Sequence, residues 1–251
     1  LFFYGVFFLL GQVLNAREQG YLPEASHFLD RAGRMWADLA EPGAMGHVRR
    51  LAGTVYLEMG DYPETYAALN EARALFVATG SLRGEGLTLR SLSMYHRARD
   101  EWAQAEAFAR EALGVFEQTE DRMLVAYAER ALAKALLRLG DSTTARLLAE
   151  NALTVCRNLP DAFGHACTLR VLGEIHLADG RLYQAKDCLE DSLQRWTDLR
   201  TELFRARTLH TLAQVHDALG DGPTAQQMTT EAVATFRTYG AREYRELTGS
   251  L

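Results

Sequence analysis

The sequence predicts an all-α fold, an α-α superhelix built as a solenoid of about six helix-turn-helix units, and three observations carry that reading. Gly20 recurs as Gly60, Gly140, Gly180 and Gly220, with Asp100 in the remaining slot, so the chain repeats every 40 residues without slippage. Small residues keep the same period, as Ala25, Thr65, Ala105, Ala145, Ala185 and Ala225 and again as Ala32, Ala72, Ala112, Ala152, Ser192 and Ala232. A bulky column follows them at Trp36, Phe76, Phe116, Cys156, Trp196 and Phe236. A period of this length marks stacked supersecondary units, none of which buries its own apolar face without neighbours.

The units fall at approximately residues 1–40, 44–80, 84–120, 124–160, 164–200 and 204–240, leaving 241–251 as a tail or partial cap on a single array. The fifth unit shows the logic. Ala166, Leu169, Leu172, Gly173 and His176 share one helical face, and Gly180 supplies the left-handed residue that ends a helix. Leu182, Ala185, Leu189, Ser192, Leu193 and Trp196 form the facing stripe of a second helix. Gly173, Ala185 and Ser192 allow close approach, and Trp196 is expected to fill the gap between units. Pro23, Pro63 and Pro223 sit where a second helix begins, a position that tolerates a missing N–H. The opening run LFFYGVFFLLGQVL lacks the basic start of a secretory signal and is shorter than the roughly 20 apolar residues that span a bilayer. Phe2, Phe3, Tyr4, Phe7 and Phe8 point around the whole helix, which predicts cover from a preceding repeat or domain. The first helix reads two residues out of register with the others.

A formal net charge of −6 argues against direct nucleic-acid binding, whose footprint is basic. Cys156, Cys167 and Cys188 form no CxxC pair, which points to a reducing, cytoplasmic setting, with Cys156 as a core filler. His96, His176 and His216 share a column with Tyr56 and Leu136. Helices pack about 8–10 Å apart whereas zinc holds its ligands at about 2 Å, so packing is expected there and no metal. The chain contains no GxxxxGK[ST], HExxH or GxSxG pattern, so no catalytic residue, cofactor or enzymatic activity is expected, and no membrane span.

The pairs Leu132-Ala133, Leu172-Gly173 and Leu212-Ala213, with Ala52-Gly53 and Leu92-Ser93 as weaker copies, resemble the tetratricopeptide repeat when taken with the turn glycine and the Ala–aromatic spacing. The unit is longer than the usual 34 or so residues. That resemblance implies that the first helix of each unit lines a concave side where ligands lie. Arg50, Arg90, Arg130 and Arg170, followed by His210, occupy one column there. Thr54, Met94, Lys134, Glu174 and Gln214 lie one turn further on, and His47, Leu87, Tyr127, Cys167 and Arg207 lie three residues before. With Arg97 and Arg138 toward the helix ends, the candidate binding residues are Arg50, Arg90, Arg97, Tyr127, Arg130, Lys134, Arg138, Arg170, Arg207 and His210. Two readings stand: a basic stripe for an acidic peptide, a carboxylate terminus or a phosphorylated ligand, or arginines that are solvated or paired with glutamates of the adjacent unit.

The stretches ALGVFEQTEDRMLVAYAERALAKALLRLGD and SLQRWTDLRTELFRARTLHTLAQVHDALGD resemble the carboxy-terminal arrays of large actinobacterial transcription activators. These include the antibiotic-regulatory (SARP-type) proteins and ATPases of the NB-ARC and maltose-regulator type. The resemblance implies a piece of a multidomain regulator that senses a peptide, a protein, a small effector or another domain of the same molecule. The alternative is a stand-alone adaptor for protein–protein interaction. The ends of an incomplete array would favour self-association.

Overall fold

The computed structural model describes residues 2–19, 21–37 and 41–249, and the regular structure among them is entirely helical. Six hairpins follow one another among these residues. They are α1 (Phe2–Gln19) with α2 (Leu22–Ala37), α3 (Pro42–Met59) with α4 (Tyr62–Ala78), and α5 (Leu82–Ala98) with α6 (Trp102–Glu117). Next come α7 (Arg122–Arg138) with α8 (Ser142–Asn158), α9 (Ala162–Ala178) with α10 (Leu182–Asp198), and α11 (Glu202–Ala218) with α12 (Gly222–Thr238). A short α13 (Arg242–Thr248) closes the order.

The turns explain why helices stop and restart on this beat. Gly60, Gly140, Gly180 and Gly220 all take the left-handed conformation, with φ between 72° and 92°. The aspartates that follow three of them cap the next helix: Asp61, Asp141 and Asp221 accept from the N–H groups of Glu64, Thr144 and Thr224. Asp100 takes the same conformation at φ 58°, without glycine's freedom, and Glu101 after it makes no capping bond. Asp100→Gly is therefore expected to stabilise the chain by about 0.5–1 kcal/mol, read as a higher midpoint in thermal unfolding. A second left-handed column, unmarked by any single residue type, lies at the turns between hairpins: Gly80, Glu120 and Arg200 have φ of 66°, 56° and 54°. After the fourth hairpin that slot is Pro160, whose ring bars a positive φ, and Leu159 before it is extended (φ −119°) as a residue preceding proline favours.

Contacts divide the chain into two compact units, residues 1–120 with 240–242, and residues 121–239 with 243–251. In the first, α1 touches α3 and α3 touches α5; in the second, α7 touches α9 and α9 touches α11. Among the described residues no such contact joins one even-numbered helix to another. The odd-numbered helices of each unit thus form one layer and the even-numbered helices flank it.

In the first unit Leu9, Val13, Leu29, Val48, Leu51 and Val55 share one core. α1 and α3 start and end 40 residues apart, and the fully buried Val13 takes the position held by Gly53. The bounds of α1 follow the common register, but its burial is displaced from it: Phe8 and Asn15 are exposed where Val48 and Val55 are buried, and Leu9, Leu10, Val13 and Ala16 face the core instead. Phe8 is 66% exposed. Gly20 and the side chains of Trp36, Phe2, Phe3, Tyr4 and Phe7, on which other expectations fell, lie outside the described residues. Phe76 is buried between two glycines, since a Cβ on Gly46 or Gly84 would lie 2.9 or 2.2 Å from its ring.

In the second unit the small-residue positions behave as their spacing predicts. A Cβ on Gly173 would meet Leu189 at 2.5 Å, and Ser192 Oγ donates to the Ala166 carbonyl at 2.9 Å. Trp196 is fully buried, its ring 5.0 Å from Phe163 and 5.2 Å from Phe204, and its Nε1 donates to Thr208 Oγ1 at 3.0 Å. Cys156 occupies the same column as a buried free thiol, and burial raises its pKa. His96 and His216 serve packing and turn geometry. The first stacks on Phe108 at 5.0 Å and pairs with Glu101, and the second pairs with Asp221 at 3.1 Å.

Candidate functional site

The arginine column splits by unit into two kinds of environment. In the second unit Arg130 ties neighbouring hairpins together. The Arg130 guanidinium lies 5.0 Å from the Tyr127 ring, and its Nη1 reaches across to α9, donating to the Gly164 carbonyl at 3.2 Å and lying 3.4 Å from Thr168 Oγ1. The Tyr127 hydroxyl donates to Asp161 Oδ2 at 2.9 Å, while the other oxygen of that carboxylate caps α9 through Gly164 N–H. Asp161 therefore holds a helix terminus and a neighbouring helix together. One turn along, Lys134 Nζ sits 3.2 Å from Glu174, which also lies 3.8 Å from Arg170. Lys134 is thus paired with a glutamate of the adjacent hairpin, whereas Arg170 stands beside one on its own helix.

Arg207 is occupied as well. Its Nε donates to Glu243 Oε1 at 2.5 Å, and its guanidinium lies 5.2 Å from the Phe204 ring. His210 is half-buried near the same Glu243; burial pulls its pKa down, and the carboxylate acts the other way. Gln214 Nε2 lies 3.4 Å from His210 Nε2. Arg138, at the end of α7, is exposed.

In the first unit Arg50 and Arg90 stand at the same register on α3 and α5, two touching helices of the odd-numbered layer. Arg50 is partly buried, and its Nε is enclosed without a hydrogen-bond partner. Burial together with the charges of Arg90, Arg17 and Arg83 pulls Arg50 down to about 9, still charged at neutral pH. His47, edge-on to Phe76 at 4.9 Å, is lowered to about 4 by burial and by Arg50 and Arg83. Arg90 Nη1 lies 3.9 Å from Met94 Sδ, and Arg97 is half-buried near the end of α5. Arg17 on α1 pairs with the buried Glu58 at 3.6 Å. Arg83 stands seven positions before Arg90, two turns back along α5.

Residues 44–118 and 164–238, more than half of the chain, match the tetratricopeptide repeat family. The chain belongs to that family. Over 220 residues this tetratricopeptide array is 28% identical to the regulatory protein AfsR of Streptomyces griseus, a match covering 88% of the chain and 21% of that relative. The chain thus spans about a fifth of the relative's length. Among solved structures it is similar to NprR in complex with its cognate peptide NprX, with a TM-score of 0.72 and 16% identity, covering 94% of this chain and 68% of that one. It is also similar to the signal-transduction ATPase PH0952 of Pyrococcus horikoshii, which carries a tetratricopeptide repeat sensor. That match has a TM-score of 0.62 and 11% identity, covering 95% and 40% of the two chains. These structural likenesses show the tetratricopeptide fold. Among the described residues no helix is long and apolar enough to cross a membrane.

Proposed function

We propose that this tetratricopeptide array is the effector-sensing part of a multidomain transcription regulator, and that it holds an acidic peptide or protein segment on its odd-numbered helices without catalysing a reaction. The observation that carries the reading is Arg50, a partly buried arginine whose Nε is enclosed without a hydrogen-bond partner and on which the charges of Arg90, Arg17 and Arg83 act. Such an arrangement costs free energy in the empty protein and favours a negatively charged visitor. Support for the regulatory half comes from the similarity to AfsR along most of the chain, and from relatives of the same fold that are described as a peptide complex and as a sensor. A bound effector shifts a regulator only through its difference in affinity for two states, so the array must be held differently in each.

Fluorescently labelled acidic, neutral and basic peptides, followed by anisotropy at low and physiological salt, test the binding half. Acidic peptides are expected to bind best. The double variant Arg50→Ala, Arg90→Ala should weaken them by about tenfold or more while circular dichroism stays unchanged. Equal binding of the three peptide classes, or undiminished capture by the double variant, would defeat the reading. In the full-length gene product, a captured peptide that alters the nucleotide turnover of an attached ATPase supports the sensor; a bare repeat protein supports the adaptor.

A further inference from the structure

We infer that α13 is a displaceable stand-in for the ligand: its Glu243 carboxylate holds the place on Arg207 that a carboxylate of an acidic segment takes on binding. The inference rests on the odd-numbered helices being a binding face, and it adds the regulation of that face.

In the second unit two built-in carboxylates meet candidate binding residues. Glu174 stands 3.2 Å from Lys134 and 3.8 Å from Arg170. Glu243 Oε1 accepts from Arg207 Nε at 2.5 Å, and the two side chains are only 15% and 10% exposed. Each carboxylate gives its cation the same group that an acidic peptide would bring. Binding on this part of the face is therefore an exchange of one carboxylate for another.

The two carboxylates differ in how firmly they are held. Glu174 is carried by α9, a 17-residue helix pinned by the buried Leu169, Leu172 and Ile175, so it leaves only if the core opens. α13 begins 40 residues after α11 but runs for seven residues where α11 runs for 17. Its Arg242, Glu243 and Tyr244 are half-buried, its other four residues are exposed, and none is buried. So short a helix does not sustain itself in water, where even about 12–15 residues are marginal. Gly240 and Gly249 bracket it at φ 61° and 64°, a left-handed conformation that glycine adopts without strain. A short segment with few buried contacts opens at low free-energy cost.

Charge favours exchange over simple opening. The Arg207 guanidinium lies 5.2 Å from the Phe204 ring and is largely withdrawn from water. Lifting Glu243 away with nothing in its place would leave that charge buried and uncompensated, which is costly. An incoming carboxylate restores the pair. α13 thus yields to an acidic visitor and holds against a neutral one, so it filters ligands by charge. A tethered competitor acts at high effective concentration, and the apparent affinity falls in proportion to the fraction of molecules in which α13 is undocked.

The test uses the whole 251-residue chain with a fluorescently labelled oligoglutamate peptide, followed by anisotropy, and a neutral glycine–serine peptide as control. Glu243→Gln is expected to tighten oligoglutamate by about tenfold and to leave the neutral peptide unaffected. Arg207→Gln should weaken oligoglutamate, and adding Glu243→Gln to it should give no gain, since both act through one pair. In the wild-type chain, hydrogen exchange in α13 should quicken when oligoglutamate binds while α9 keeps its protection. Deletion of residues 243–251 is a second route to the same tightening, should Glu243→Gln lose helicity. Oligoglutamate binding that neither variant tightens, or α13 amides that slow on binding, would overturn the inference and leave the acidic-segment reading standing. Absence of oligoglutamate binding to the wild-type chain and both variants removes both.

Discussion

Trp196→Ala is expected to cost about 3–5 kcal/mol, the largest single loss in the chain. The indole is fully buried and packs between Phe163 and Phe204, so its removal strips contacts from α9 and α11 as well as from its own helix. The Thr208 hydroxyl loses the Nε1 donor but keeps its bond to the Phe204 carbonyl at 3.2 Å, so the loss is chiefly one of volume and dispersion. Trp196→Phe, which installs the residue that the column carries at Phe76, Phe116 and Phe236, should lose less than half as much. Urea unfolding followed by circular dichroism gives the magnitude. Hydrogen exchange gives the place: protection should fall first in α9–α11, because a solenoid is held by nearest-neighbour seams and unfolds seam by seam. A loss below about 1 kcal/mol would mean that the column does not carry the seam.

Gly84→Ala is expected to destabilise by about 2–3 kcal/mol. The added methyl would sit 2.2 Å from Cδ1 and 2.5 Å from Cγ and Cε1 of Phe76. That ring is only 1% exposed and is bounded by Gly46 on its own hairpin, so it has little room to retreat. The same substitution at Gly114, where nothing lies within 4 Å, is expected to stabilise by about 0.5–1 kcal/mol, because alanine is the better helix former. Opposite signs for one chemical change, measured as shifts in the urea midpoint, separate packing from propensity. Matching signs would show that the Phe76 ring moves aside at low cost.

The hairpins, the left-handed glycines and the small-against-bulky packing were legible because each depends on residue type at one position of a strict period. Gly173 against Leu189 and Gly180 at φ 72° are cases where the local pattern alone dictated the outcome. The arginines were not legible in the same way. Arg50, Arg90, Arg130 and Arg170 occupy one register, yet Arg130 binds a main-chain carbonyl 34 residues on and Arg170 sits beside a glutamate on its own helix. Periodicity says where on a helix a side chain stands; the partners differ, Arg130's on a neighbouring helix and Arg170's on its own, and neither recurs with the period. The turns between hairpins escaped for the converse reason. Their geometry repeats at Gly80, Glu120 and Arg200 while residue type does not. Asp161 was readable as a helix cap, but its grip on Tyr127 depends on a contact across 34 residues.

The seating of Phe76 has a consequence for how such an array lengthens or shortens. The hairpin after Phe76 presents Gly84, whereas the hairpin after Trp196 presents Phe204 at the same step of the period. Each bulky knob is matched to a socket of its own size, so the hairpins are not interchangeable bricks. Splicing the Phe204 hairpin next to Phe76 would set two rings where one fits. The order of the modules is thus written into their mating surfaces, and a duplicated module has to be resized before it can be kept.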